Sequence, residues 1–350
     1  MKGRTKMLFH TKRKAAVRVL AVAAGVAALA MVTAGCSSTA STPTAKNYKI
    51  TFLPKNLGNN YFEASDEVGG KAAVKAFKGT WAEVGPATGT PSAQVSYINT
   101  LTQQHVGAII LSADDPNAPC TALKAAMKAG IKVITFDSDV TPSCRNLFIN
   151  QATAEGIAEA QADIIAKDIN NTGDIAILSA AANDTNQNTW NKDMTAYMAT
   201  KYPNIKIVTT VYGNDDDQTS FDDTQSLIQK YPNLKGIVSP TTVGIAAAAR
   251  YLSTSQYKGK IALTGLGTPN SMKTYVSDGT VTAFALWNPA NLGYLAAYAA
   301  KAEIDGTVTG KTGQTFKAGK LGSFTVGAGA TVLLGKPTVF DASNINQFNF

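Results

Sequence analysis

The residues best equipped for chemistry sit where apolar runs stop. In FLPKNLGNNYFEAS (52–65), Lys55, Asn56, Asn59, Asn60, Tyr61 and Phe62 come directly behind the run 48–53. The same arrangement returns along the chain. Ser112–Asp115 follow one run, Asp137-Ser138-Asp139 the next, then Asn183–Trp190, Ser239–Thr242, Gly265–Thr268 and Trp287-Asn288-Pro289. Amides and carboxylates suit vicinal hydroxyls, and aromatic faces suit the C–H face of a sugar ring. The inventory is that of a polyol cleft. Trp190 and Trp287 suit either stacking on the ligand or packing in a helix and a hinge.

Several other chemistries find no support in the residues. His105 is the single histidine beyond the first 35 residues, near a helix end, which removes a His-cluster metal site and weakens any Ser–His mechanism. Gly310-Lys311-Thr312 has the look of a phosphate loop, but the required glycine at 305 is Asp305. The acidic run NDDDQTSFDD (214–223) lacks the alternating ligands of a calcium loop and reads as a solvated helix start. Asp137 and Asp139 could form a general acid–base pair, but two residues apart in an extended segment they point to opposite sides. One would face the cleft and the other cap or bridge. The alternative of a sugar-acting hydrolase rests on Asp137. The formal charge of +8 is no nucleic-acid signal, because residues 1–35 hold seven basic residues and no acid, leaving 25 basic against 24 acidic residues.

The elements that must position these residues are short Val/Ile/Leu/Ala strands alternating with amphipathic helices. Strands are expected at 48–53, 80–84, 107–111, 131–136, 146–149, 174–179, 205–212, 235–239, 259–264 and 281–286. Near-continuous apolar strands are covered on both faces, as in a parallel sheet. Alternating βα units build doubly wound α/β domains, and this many strands divide more comfortably into two sheets than one. Ligands of such sheets bind beyond the carboxyl ends of strands, where the polar residues gather.

Seven basic residues, the apolar stretch 19–32 and VTAGC before Ser/Thr-rich residues read as an export signal. Small residues before Cys36 resemble the lipobox of bacterial lipoproteins, which makes Cys36 the lipidation site and 36–46 a flexible tether. The other option is a plain secretory signal cut near Ala34. With Cys36 lipidated, Cys120 and Cys144 remain as a pair, and outside the cytoplasm such a pair forms a disulfide.

Together these features resemble the solute-binding lipoproteins of bacterial sugar ABC importers, in the ribose-type group, over residues 46–350. FLPKNLGNNYF, TNQNTW, SPTTVGIAAAA, TGLGTPNSM and LWNPANLGY are similar to the rhamnose-binding branch. The segments around Cys120 and Cys144 are similar to receptors for autoinducer-2, a furanosyl signal. By position, that branch's ligand contacts fall on Lys55, Asp137, Asn186, Gln187, Pro240 and Thr242. It has a second carboxylate where this chain has Asn186, and an alanine where it has Thr242.

The resemblance implies two α/β domains joined by a multi-strand hinge, of the type I periplasmic binding protein kind. The amino-terminal domain would comprise 47–148 plus about 288–318, and the carboxy-terminal domain 149–287 plus about 319–350. The ligand set is Lys55, Asn56, Asn59, Tyr61, Phe62, Asp137, Asp139, Asn186, Gln187, Trp190, Pro240, Thr242, Trp287 and Asn288. It implies a monomer without catalysis, metal or cofactor. It would be lipid-anchored through Cys36 to the outer face of the cell membrane. There it would close on L-rhamnose or a related deoxysugar, with autoinducer-2 as the alternative ligand. Its partners would be a membrane permease and its ATPase.

Overall fold

The computed structural model describes residues 45–350. The expected export signal (1–35), the lipidation expected at Cys36 and most of the expected tether (36–46), up to residue 44, lie outside the described residues.

The strands in chain order are β1 (Lys49–Leu53), β2 (Thr80–Glu83), β3 (Ala108–Leu111), β4 (Lys132–Phe136), β5 (Leu147–Asn150), β6 (Gly173–Ser179) and β7 (Ile205–Tyr212). There follow β8 (Leu234–Ser239), β9 (Ala262–Gly265), β10 (Ala283–Leu286), β11 (Thr315–Lys317), β12 (Ser323–Thr325), β13 (Thr331–Leu333) and β14 (Thr338–Asp341). The helices are α1 (Asn60–Phe62), α2 (Lys71–Ala76), α3 (Pro91–Gln103), α4 (Cys120–Lys128) and α5 (Ala154–Asp168). After them come α6 (Thr185–Lys201), α7 (Asp217–Lys230), α8 (Thr242–Thr254), α9 (Pro269–Ser277) and α10 (Pro289–Asp305). A π-helical stretch, Glu63–Gly70, joins α1 to α2. Among the described residues no helix is long and apolar enough to cross a membrane.

Two parallel sheets form two lobes. The first runs β13-β5-β4-β3-β1-β2 and the second β7-β6-β8-β9. In β3 alternate residues serve opposite faces: Ala108 and Ile110 join one apolar cluster, Ile109 and Leu111 the other, all four buried. A strand sandwiched between helical layers needs apolar groups on both sides, which is why these runs do not alternate with polar residues. The antiparallel pair β10–β14 extends the second lobe, linked to the end of β9 through the parallel bridge Leu266–Ala285. Cys120, at the start of α4, is disulfide-bonded to Cys144 in the turn before β5. Closing a loop of that length stabilises by roughly 3 kcal/mol in the chain-entropy picture.

The chain returns to the first lobe after β10. There α10 crosses the π-helical stretch at backbone distance, because both faces carry glycine. A Cβ on Gly69 would meet the Ala290 carbonyl oxygen at 1.9 Å, and one on Gly293 would meet that of Ser65 at 1.8 Å. Alanine at either position would push the helices apart.

The crossing expected at about 319 falls later. β13 pairs in parallel with β5, Val332 opposite Ile149, so the first sheet holds the chain to Leu333. Only β14 then joins the second lobe, opposite β10. The expected strand 259–264 begins later, at Ala262. The short strands β11 to β14 were not among the ten expected.

Candidate functional site

The carboxyl ends of both sheets face one another across a narrow cavity of about 40 Å³. β1 delivers Lys55, with Asn59, Tyr61 and Phe62 at the start of the helix behind it. Asn59 is that helix's N-cap, its side chain accepting from the Tyr61 amide at 3.0 Å. Local capping chemistry therefore brings both aromatics to the cavity wall. β4 delivers Asp137, β6 and α6 deliver Asn186, Gln187 and Trp190, β8 delivers Pro240, Thr241 and Thr242, and Trp287 follows the end of β10.

Asp137 is buried in a left-handed backbone conformation (φ 61°), a region that aspartate tolerates better than most residues. Its carbonyl accepts from the Gln151 side chain at 3.2 Å. Its carboxylate accepts from Ser112 Oγ at 2.7 Å, Tyr61 Oη at 3.1 Å and Asn186 Nδ2 at 3.4 Å. Tyr61 Oη in turn accepts from the indole of Trp287 at 2.9 Å. All four partners are neutral. Burial pushes the Asp137 carboxyl above the ordinary range, and Lys55, Ser112 and Tyr61 pull it back. The Tyr61 hydroxyl is raised well above its usual value, by burial and then by Asp137.

Lys55 bridges the lobes. Its ammonium lies 3.1 Å from Asp184 and donates to Asn186 at 3.3 Å. Burial works against its charge, but Asp184, Asp137, Asp215 and Asp114 more than offset it and raise its pKa. A second bond across the cleft runs from Asn183 Nδ2 to the Asp114 carbonyl at 2.9 Å. Burial raises Asp114 to about 7 and Asp215 to about 6, in both cases against the attraction of Lys55.

An edge-to-face aromatic chain lines the base. Phe62 meets Tyr61 at 5.2 Å, Tyr61 meets Trp287 at 6.1 Å, and Trp287 meets Trp190 at 5.9 Å between ring centroids. The two tryptophans thus pack on one another and also line the cavity. Gln187 spends its carbonyl inside its own lobe, accepting from Ser179 Oγ and the Ala180 amide, both at 2.8 Å.

Eleven of the expected residues line the cavity: Lys55, Asn59, Tyr61, Phe62, Asp137, Asn186, Gln187, Trp190, Pro240, Thr242 and Trp287. Three expected ones do not. Asn56 lines an outer hollow with Asn60 and Asp217. Asp139 points away and is held by Arg145 through two bonds of 2.6 and 2.7 Å. Asn288 caps α10, accepting from the Asn291 amide at 3.1 Å. Asp215, Thr241, Leu266 and Leu286 line the cavity outside the expected ligand set; Thr241 and Leu266 lie in strand-end segments already singled out, Asp215 and Leu286 do not. Asp215 follows β7, so the strand-end rule could have found it; reading its acidic run as a solvated helix start hid it. That reading holds for Asp216, the N-cap of α7, and fails for Asp215.

A family model for the periplasmic binding protein domain matches residues 50–307. The structure of a sugar ABC transporter from Actinomyces odontolyticus is 49% identical, with a TM-score of 0.70, covering 86% of this chain and 97% of that one. An ABC transporter solute-binding protein from Clostridium phytofermentas with bound L-rhamnose is 36% identical, with a TM-score of 0.83, covering 87% and 98%. LsrB from Clostridium saccharobutylicum in complex with AI-2 is 27% identical, with a TM-score of 0.82, covering 86% and 99%. These relatives bind solutes and are not hydrolases, which sets aside catalysis through Asp137. Matched along most of its length, the chain belongs to the periplasmic binding protein family, the extracytoplasmic solute-binding components that serve ABC transporters.

Proposed function

We propose that the protein captures L-rhamnose or a related 6-deoxyhexose and hands it to the permease of an ABC importer. The observation that carries this reading is the composition of the cavity wall. Polar groups from both lobes (Lys55, Asp137, Asn186) face an apolar base of Phe62, Tyr61, Trp287 and Trp190. A deoxysugar has that character, with hydroxyls around one edge and a methyl group and C–H face on another. The L-rhamnose-bound relative, at 36% identity, supports the same choice.

Ligand contacts that exist only with the lobes together would shift the hinge equilibrium toward closure. The closed form is then the state a permease reads. Lipid on Cys36 would hold the monomer at the outer membrane face without spanning the bilayer.

Autoinducer-2 is the second reading, favoured by Lys55, Asp137 and Gln187 in matching places and by the AI-2-bound relative. Asn186 weighs against it, since a carboxylate there would make a stronger, charge-assisted bond. Calorimetric titration of residues 46–350, refolded to strip carried-over ligand, separates the two. Micromolar or tighter binding of L-rhamnose, with none of autoinducer-2, ribose or glucose, is the expected outcome. Binding of autoinducer-2 alone would replace the sugar reading.

A further inference from the structure

Of the acidic run 214–217, one carboxylate enters the cleft. Asp216 accepts from the Thr219 amide at 2.8 Å, and Asp217 pairs with Arg250. Asp215 does neither. Asn214 and Asp215 both adopt left-handed backbone conformations (φ 53° and 50°), as Asp137 does in the other lobe. Non-glycine residues in that region are disfavoured and gather at functional sites. Here the turn sets Asp215 at the boundary between the cavity and the outer hollow, both of which it lines with Asn59 and Thr242.

One hydrogen bond holds it: Thr241 Oγ1 donates to Oδ1. Thr241 is itself the N-cap of α8, so the bond has a fixed origin. Asp137 already accepts from three side chains. Asp215 accepts from one, and a carboxylate has about four acceptor sites.

We propose that Asp215 is the second lobe's ligand-binding carboxylate, accepting a hydroxyl hydrogen bond from the sugar and turning away sugar acids. The charge balance of the site supports the exclusion. Among the described residues Lys55 is the ammonium facing the cleft, and Asp114, Asp137, Asp184 and Asp215 all act on it. A ligand carboxylate would bring a further negative charge into that group, whereas a neutral polyol brings donors. Burial pushes Asp215 up to about 6 while Thr241 and Lys55 oppose the rise, so it is ionised above neutral pH.

This proposal rests on the sugar-binding reading, and its test separates the two. Native protein, Asp215→Asn and Asp215→Ala are titrated calorimetrically at pH 8 with L-rhamnose and with L-rhamnonate. Native protein should take the sugar and refuse the acid. Asp215→Asn should weaken L-rhamnose about 10- to 100-fold, the size of a charge-assisted bond. It should also narrow the sugar-to-acid ratio, which a merely structural role would not alter. Unchanged affinity and ratio overturn the proposal.

If native protein binds neither compound, the sugar reading fails and thermal unfolding of the ligand-free proteins judges Asp215 by itself. Its charged form faces Asp137, Asp184 and Asp114 as well as Lys55, and the amide keeps the bond from Thr241. Asp215→Asn should therefore raise Tm, more at pH 8 than at pH 5. A lowered Tm at pH 8 would make Asp215 a structural partner of Thr241 and end the proposal.

Discussion

Asp137 and Asp139 stand two residues apart and have opposite fates. Asp139 lies outside the cleft, gripped in bidentate fashion by the Nε–Nη2 edge of the Arg145 guanidinium and by Thr135 Oγ1 at 2.5 Å. Arg145 also donates to the Gly329 carbonyl at 3.0 Å, so the pair ties β4 to the segment leading into β13. Asp137 has no cation in contact and is bonded by three neutral donors. A carboxylate meant to hold the fold is neutralised by the protein. On the proposed sugar-binding reading, Asp137 is positioned by weak neutral donors and keeps acceptor capacity that a ligand's hydroxyls can fill.

The comparison breaks most visibly if each aspartate is removed in turn. Asp139→Ala strands a buried guanidinium and should cost about 3–5 kcal/mol of stability, read by urea unfolding. The folded fraction should still bind L-rhamnose with native affinity. Asp137→Asn should leave unfolding nearly unchanged and weaken the sugar about 10- to 100-fold, or about 1.5–3 kcal/mol, by calorimetry. Exchange of those two phenotypes would mean that the roles are reversed.

The smallest effect is a slope with pH. Burial raises Asp114, which has no cation in contact among the described residues, to about 7, and its Oδ2 is buried without a partner there. Its contribution to stability is fully present below the unfolded value near 4 and is lost as pH rises through about 7. Asp305 behaves in the opposite way. Burial opposes its charge, but bonds from Lys301, Tyr48 and Lys46 lower it to about 2, so its contribution is lost only as pH falls through that value. Between pH 5 and 7 ligand-free protein should lose at most about 1.4 kcal/mol per unit to Asp114. Asp114→Asn should flatten that slope, as read by denaturant titration across the range. A slope identical in the variant would show that Asp114 is ionised throughout.

The sheets and most of the cavity wall were legible because both follow local rules. Apolar runs mark doubly covered strands, and a ligand site forms where such strands end. Lys55, Asp137 and Asn186 were found in that way. Asn288 was misplaced because an asparagine before a proline at a strand end fits a cap and a cleft equally well. Asp139 was misplaced because its partner, Arg145, is chosen by packing around β13 and not by spacing. The strands β11 to β14 stayed hidden for a related reason. They are three or four residues long, and β13 finds its partner nearly two hundred positions upstream at β5.

The late return of the chain also sets an order of events during synthesis. Until α10 and β13 have been made, the first sheet lacks a helix from one face and a strand from its edge, with Gly69 and Gly293 not yet in contact. An amino-terminal lobe that needs residue 333 cannot finish folding while its own first half leaves the ribosome. Pairings this distant in sequence form slowly. For a receptor that works outside the cytoplasm, that delay lengthens the interval in which the chain is still threadable.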